Sequence, residues 1–410
     1  MRKLLPLILA VLITLPGLWL KLSGAHLAPP PAALLSGLAI LGASFLLLWA
    51  CDVAQMDIPQ TLALAVVALI AVLPEYAVDM YFTWQAGQHP ESDYAHYAIA
   101  NMTGANRLLI GVAWSAIAGL HWFKTRRRVV LDVEQRTELL FLGLATTYAF
   151  FIPIKGSLAW YDGLVFLALY VWYIRLASQR PCSECELEGP AEIIGALPKV
   201  RRRQATVALF LFAAGVILAS AELFSENLVA TGKVYGINEF LLVQWLAPIA
   251  SEAPEFIVAI MFVLRGQAAT AMGSLISSKL NQWTLLVGMI PGVYGLSSGS
   301  FEHPLPLGPF QLHEIFLTAA QSLMAVALLA SLALGPGAAL LLFGMFAGQL
   351  LSPYVVEGLN LPNLPWGNGT DGLHQLFSAA YVALFVAIAW LKRRDMWALR
   401  LGASVEQRIV

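Results

Sequence analysis

Leu73-Pro74-Glu75 interrupts one apolar stretch of this 410-residue chain, and Ala253-Pro254-Glu255 interrupts another 180 residues later. A carboxylate in hydrocarbon is costly, so an acid at such a position is a functional candidate by default. Each proline removes a backbone N–H and pushes away the carbonyl four residues earlier, which leaves the oxygens of Ile70 and Ala250 free to face a cation. A broken helix that carries an acid and occurs twice is typical of two repeats that meet at an ion site near mid-bilayer.

The composition around these two stretches is that of a membrane protein. Hydrophobic residues make up 59% of the chain and charged residues 12%, and the mean hydropathy is +0.72. Soluble domains carry about a quarter charged residues, so the fold class is predicted as an all-α polytopic membrane protein. Twelve candidate spans follow from hydropathy: 4–21, 33–50, 60–86, 94–122, 137–153, 159–177, 205–224, 238–264, 268–296, 312–334, 337–352 and 373–391.

The basic residues set the orientation of these spans. Placing both termini in the cytoplasm assigns 19 of the 24 lysines and arginines to inner loops and tails. This split follows the positive-inside rule and predicts an integral protein of the plasma (inner) membrane. Residues 1–28 also resemble a secretory signal, but no clear small-x-small cleavage site follows, which favours a retained helix.

Ten of the twelve spans divide into two groups of five. We expect a first repeat at 33–177 and a second at 205–352, joined by a cytoplasmic linker at 178–204. An odd number of spans per repeat forces the second repeat to be inverted. The remaining segments are an N-terminal extra helix at 1–32, and an outer loop, extra helix and basic tail at 353–410.

Each Pro-Glu pair is followed by a second element rich in small and amide residues. In the first repeat this element contains Asn101 and then Gly104-Ala105-Asn106, and in the second it contains Ser274 and then Ser277-Ser278-Lys279. The paired motifs resemble the α-repeats of the sodium/calcium exchanger family, within the cation/calcium antiporter superfamily. That pattern is Gly-Thr-Ser-Leu-Pro-Glu followed by Gly-Asn-x-x-Gly-Ser-Asn. The resemblance is close over 60–122 and 238–296 and rests on span order elsewhere.

The resemblance implies a secondary-active antiporter, not an enzyme, that moves Ca²⁺ or another cation against Na⁺ or H⁺ by alternating access. It implies no cofactor beyond the transported cations, and as partners the lipid bilayer and inorganic cations. Glu75 and Glu255 are then the metal ligands, as oxygen atoms suit these hard cations. Further ion-binding candidates, carried over by position, are Asn106, Ser251 and Ser278, with Asn101 as a packing or secondary contact. A carboxylate that only ties helices together is the alternative, but it does not explain the adjacent prolines.

This chain departs from the family pattern at several positions. The Thr-Ser pair is Ala71-Val72 in the first repeat and Ser251-Glu252 in the second, and Lys279 stands where the family has Asn or Asp. Glu75, Asp79, Glu252 and Glu255 are therefore expected to share the core with two bases, Lys279 and Arg107. Asp79, Glu252 and Lys279 are further ion-binding candidates. Asp79, one turn from Glu75, has either a site role or an outer-vestibule role.

Lys279 leaves three interpretations open. It is a built-in ammonium that replaces one Na⁺, a group whose proton release couples transport to H⁺, or a static salt bridge to Glu252 or Glu255. We expect its ammonium within ion-pair distance of one of these acids. Gln244, Asn281 and Gln282 could supply lost ligands, whereas His313 and Glu314 are predicted to be interfacial.

The remaining alternatives belong to other functional classes. A Na⁺/H⁺ type antiporter with Lys279 as its internal cation is the nearest one. A membrane metalloprotease would need a constellation such as His-Glu-x-x-His, which the sequence lacks. A non-transporting sensor could use Cys182 and Cys185 in the linker, although a lone Cys-x-x-Cys is weak evidence and a polar linker explains it equally well. Nothing in the sequence indicates a nucleic-acid partner, and protein partners are not predicted.

Overall fold

The chain is an all-helical membrane protein in a computed structural model that describes residues 4–57, 72–178, 187, 189–358 and 369–400. Its longer helices, in chain order, are α1 Leu5–Ser23, α2 Pro29–Ala54, α3 Leu73–Gln88, α4 Tyr94–Leu108, α5 Ser115–Thr125, α6 Gln135–Ala149, α8 Trp160–Ala177, α10 Lys199–Tyr235, α11 Glu239–Leu264, α12 Ala268–Asn281, α13 Val287–Ser298, α14 Pro309–Leu329, α15 Pro336–Gly358 and α16 Gly369–Leu391. Short helices are α7 Phe151–Lys155, α9 Pro190–Gly195 and α17 Arg393–Leu399.

Among the described residues, 8 helical segments are long and apolar enough to cross a membrane. They are Leu5–Ser23, Pro29–Ala54, Tyr94–Thr125, Gln135–Lys155, Lys199–Tyr235, Glu239–Leu264, Pro309–Leu329 and Gly372–Leu391, and Pro336–Ser352 is a shorter apolar helix. The polytopic helical class is therefore confirmed. The total of twelve spans stays a prediction, and part of the predicted span 60–86 lies outside the described residues.

Two helical segments contain a π-helical stretch at corresponding positions. Leu109–Trp114 joins α4 to α5, and Gln282–Leu286 joins α12 to α13. Each begins three residues after the last residue of a second element, Asn106 in one case and Lys279 in the other. π-Helical turns are rare and are found frequently at functional sites. Both junctions are therefore candidates for part of the functional site.

The helix α10 is longer than its apolar part. It runs for 37 residues, from Lys199 to Tyr235, whereas hydropathy predicts a span only at 205–224. The helix continues into charged turns at both ends, because polar side chains at helix ends remain solvated there. It ends at Gly236, whose φ of 64° is left-handed and favours glycine. Asn238 then starts α11, accepting a hydrogen bond from the Leu241 N–H at 3.4 Å.

Close helix crossings bring the two candidate repeats together. The helix α4 packs against α11, α3 packs against α13, and α10 packs along α2. At the α4–α11 crossing, a Cβ at Gly104 would lie 1.8 Å from the Gln244 carbonyl oxygen, so only glycine fits there. Gly104 thus lets the end of α4, with Asn106, approach α11. A short antiparallel pair, Val129–Val130 with Ala333–Leu334, links the ends of two helices elsewhere.

Candidate functional site

Glu75 lies in the first turn of α3, immediately after Pro74, and is buried at 3% exposure. Proline fits the first turn of a helix because the N–H it lacks would have no partner there. The Glu75 side chain lies beside that of Glu252 and is an electrostatic neighbour of Glu255 and Asp79. The predicted free carbonyl of Ile70 lies outside the described residues.

Glu252 and Glu255 lie on α11, which contains both Pro248 and Pro254. Glu252 is buried and accepts a hydrogen bond from the Gln282 amide, which the second π-helical stretch supplies. Glu255 is half-buried and lies beside Ser278. Its Oε2 is nevertheless buried and has no hydrogen-bond partner among the described residues. The structure therefore brings Glu75, Glu252 and Glu255 together from two helices far apart in sequence.

Lys279 is fully buried, and its ammonium donates to Asn106. Its Nζ is 2.6 Å from Asn106 Oδ1 and 3.1 Å from the Asn106 backbone oxygen. It also lies 4.5 Å from the centre of the Trp283 ring. The predicted ion pair with Glu252 or Glu255 was wrong for the described residues, which show no such pair within 4.0 Å. The reason is geometric: Asn106 and the face of Trp283 contact the ammonium directly, whereas Glu252 and Glu75 are only its electrostatic neighbours.

The other candidates occupy the surroundings of this centre. Asp79 is fully buried, and its Oδ1 accepts a hydrogen bond from Asn101 Nδ2 at 3.0 Å. Ser251 donates to carbonyls of its own helix, those of Ala247 and Pro248. The Ser278 hydroxyl is buried without a hydrogen-bond partner among the described residues.

Arg107 does not join the acids around Glu75, contrary to the expectation from sequence. Its guanidinium forms an ion pair with Glu314 on α14, and both side chains are buried. Glu314 was predicted to be interfacial, and this was wrong, since its exposure is 0%. The sequence did carry a signal: each is a charge at an intramembrane position, and such charges usually pair.

A cation at this centre would need more ligands than the acids provide. Among the described residues, no group of three or more His, Cys, Asp or Glu side chains is arranged to hold a metal ion. Ca²⁺ takes six to eight oxygens, which proteins supply from carboxylates, amides, hydroxyls, backbone carbonyls and water. Glu75, Glu255, Asn106 and Ser278 offer oxygens of three of these kinds. Cys182 and Cys185 lie outside the described residues.

Comparisons with known proteins identify the same architecture. The family model described as sodium/calcium exchanger protein matches residues 31–179 and 205–355. A curated relative, the putative antiporter CaxA of Alkalimonas amylolytica, is 25% identical over 244 residues, covering 57% of this chain and 72% of that protein.

Solved structures extend the similarity to the whole chain. A crystal structure of an H⁺/Ca²⁺ exchanger CAX matches with a TM-score of 0.91 and 42% identity, covering 100% of both chains. A structure of the sodium-calcium exchanger NCX_Mj matches with a TM-score of 0.52 and 18% identity, covering 78% of this chain and 97% of that one, which shows a shared fold. The family model matches both segments that carry a Pro-Glu pair. The chain therefore belongs to the sodium/calcium exchanger family and is a membrane cation/calcium antiporter.

Proposed function

We propose that the chain exchanges Ca²⁺ for protons, by alternating access around Glu75 and Glu255. The observation that carries the proposal is the proximity of the buried Glu75 and Glu252 side chains. Two carboxylates in contact repel each other strongly when both are ionised, and a shared proton removes this repulsion. A centre that needs a proton when no metal is bound, and that offers carboxylates to Ca²⁺, suits exchange of one for the other.

The likeness to a named exchanger supports the same pair of ions. The structure that is 42% identical over its full length is that of an H⁺/Ca²⁺ exchanger. In this chain, Glu75 and Glu255 would bind Ca²⁺, with oxygens from Asn106 and Ser278, and Ser251 as a further candidate. Asp79, one turn from Glu75 along α3, and its hydrogen-bond partner Asn101 on α4 would form the approach to that site. No separate cofactor is proposed.

Lys279 supports a second candidate, a Na⁺/H⁺ type antiporter in which its ammonium occupies one cation position. The ammonium lies 2.6 Å from the oxygen of Asn106, an oxygen that the family resemblance assigns to a bound ion. A compact ammonium is held by the same kind of oxygens as Na⁺. This candidate differs from the first in the transported ion and shares its site.

The inverted arrangement of two five-helix repeats is part of the proposal. Two family matches flank the linker, at 31–179 and 205–355. A π-helical stretch also follows three residues after Asn106 and three residues after Lys279. Both features support a duplicated unit with equivalent positions in each half. The basic loops support cytoplasmic termini and location in the inner membrane.

Flux measurements in proteoliposomes test the function. Purified protein is reconstituted with a pH-sensitive dye inside, and outward gradients of Ca²⁺, Na⁺ or K⁺ are imposed in turn. We expect Ca²⁺ movement in one direction to drive proton movement in the other. Coupling of Na⁺ but not Ca²⁺ to protons would favour the second candidate, and coupling of Ca²⁺ to Na⁺ without protons would refute both. A chain that moves no ion would instead act as a sensor.

A further inference from the structure

A second buried charged cluster lies outside the acid centre and has no role in the proposed function so far. At its core the Arg107 guanidinium on α4 pairs with the Glu314 carboxylate on α14. Arg107 is 1% exposed and Glu314 is 0% exposed. Burying a charge costs free energy unless an opposite charge lies beside it. Removing either member of this pair would leave the other as an uncompensated buried charge.

The partners of this pair come from several helices. Gln244 on α11 donates to Glu314 Oε2, and His374 Nδ1 on α16 lies 2.8 Å from Glu314 Oε1. Gln349 on α15 is 3.5 Å from Arg107 Nη1 and accepts its hydrogen bond. Trp245 stacks on the guanidinium, with its ring centre 5.0 Å away. The cluster therefore joins α4 to α11, α14, α15 and α16.

The cluster adjoins the proposed cation site through one residue. Arg107 directly follows Asn106, whose two oxygens both accept from Lys279. Arg107 is also an electrostatic neighbour of Lys279, and the charge of either one acts on the other. Gln321 fixes the same turn of backbone, donating to the Arg107 carbonyl at 3.4 Å. Two basic side chains that act on each other electrostatically therefore flank Asn106, one of the candidate ligands.

We propose that Glu314 is a positioning and charge-compensating residue of the exchanger. It neutralises Arg107, so that the cation site faces the charge of Lys279 alone, and it holds the α4 turn that presents Asn106. This inference rests on the proposed function in taking Ca²⁺ as the cation. Arginine does not lose its proton in proteins, so its charge can only be balanced by a neighbouring anion.

The two halves of the pair should then have opposite effects on cation binding. Glu314→Gln keeps the shape of the side chain and one acceptor oxygen for Arg107 and Gln244, but it leaves the charge of Arg107 uncompensated, so binding of Ca²⁺ should weaken roughly tenfold. Arg107→Gln removes the positive charge, so binding should stay equal or become tighter. The double variant Arg107→Gln/Glu314→Gln should return close to the wild-type value. A purely structural pair would instead weaken binding in both single variants.

Ca²⁺ affinity is measured by calorimetry on purified protein, and the KM and maximal rate of Ca²⁺ flux are measured in proteoliposomes. The matched control is Lys155–Asp162, a second ion pair with a fully buried acid, which lies between α7 and α8 away from the site. Asp162→Asn and the double variant Lys155→Gln/Asp162→Asn should leave Ca²⁺ affinity unchanged. Thermal melting and gel filtration confirm that each variant is folded.

Three results would overturn the inference: wild-type affinity in Glu314→Gln, weakening in both single variants alike, or no recovery in the double variant. If Glu314→Gln does not fold, the double variant decides alone, since a folded double variant with weakened binding refutes charge compensation. Calorimetry separates this test from that of the proposed function. A wild-type chain that binds Ca²⁺ but exchanges no protons would refute the exchange reaction and leave the role of Glu314 measurable.

Discussion

The two proposed repeats have similar backbone features at corresponding positions but carry different side chains there. Both have a Pro-Glu pair and a π-helical stretch, but Asn106 in the first repeat corresponds to Lys279 in the second. These two residues bind each other across the centre, at 2.6 Å. Two asparagines at these positions would leave their side-chain oxygens free to bind a cation. Here the Lys279 ammonium already binds the Asn106 oxygen. The two segments therefore share backbone features and differ in charge.

The same contrast holds for the acids. Glu252 in the second repeat stands where the first has Val72, and Gln282 begins the second π-helical stretch where the first begins with Leu109. Glu252 joins Glu75 and accepts from Gln282. The second repeat thus supplies most of the polar groups around an acid that belongs to the first.

The glutamates shared by both repeats should show the largest effect. Glu75→Gln and Glu255→Gln should each abolish Ca²⁺ exchange, because either change removes a negative ligand while leaving the volume of the side chain intact. Flux into proteoliposomes measures this. Glu222→Gln serves as the control, since Glu222 is half-exposed and pairs with Lys21. Retained exchange in both site variants would show that the equivalence of the two Pro-Glu pairs has no functional meaning.

Lys279→Asn makes the two second elements alike and should have the next largest effect. It removes one positive charge from the centre, so Ca²⁺ affinity measured by calorimetry should increase by roughly tenfold. If Lys279 also carries a coupled proton, the pH dependence of transport should flatten over roughly pH 6 to 9. Trp283→Phe, which keeps an aromatic ring beside the ammonium, is the control. Unchanged affinity with an unchanged pH profile would make Lys279 a structural residue.

Gln282→Leu gives the second π-helical stretch the residue type found at Leu109. Glu252 then loses a hydrogen bond to a charged group, which contributes about 1.5–3 kcal/mol, and the KM for Ca²⁺ should change several-fold. Thr284→Val is the control in the same stretch, since Thr284 donates only to the Leu280 carbonyl four residues earlier. Equal kinetics for the two variants would mean that the difference between Gln282 and Leu109 has no effect on Ca²⁺ binding at the site.

The smallest effect is expected at an ion-pair cluster between the end of α2 and the start of α10. Asp57, just after α2, pairs with Arg202 and Arg203 at the start of α10. Hydrogen bonds from Arg202 lower the pKa of Asp57 from 3.8 to about 2. A carboxyl with a lowered pKa stabilises the fold above its unfolded pKa, and that contribution is lost as the pH falls from about 4 towards 2.

Asp57→Asn should therefore lower the thermal melting temperature slightly at pH 7, with a difference from wild type that narrows at pH 3. Transport should not change, because the pair is remote from the acid centre. Arg201→Gln, an exposed neighbour, is the control. A constant difference across this pH range would show that the pair contributes nothing through its charge.

Much of the architecture followed from the sequence because hydropathy and helix-breaking residues act locally. Within the described residues the apolar stretches coincide with helices, and both Pro-Glu pairs are in helices that meet at one centre. Boundaries were less accurate where a helix extends beyond its apolar part, as α10 does at both ends. Hydropathy reports the part that faces lipid, whereas helical hydrogen bonds continue into water.

The sequence by itself determined that this is a helical membrane protein with a duplicated acid motif, since composition, proline chemistry and spacing need no knowledge of packing. Only the tertiary structure decided which charges pair. Lys279 binds Asn106, 173 residues away, instead of Glu252 or Glu255, and Arg107 binds Glu314, 207 residues away, instead of the acids near Glu75. The number and type of charged residues can be read from the sequence. Their pairing depends on helix crossings such as that at Gly104, where the backbones of α4 and α11 are too close for any side chain larger than hydrogen.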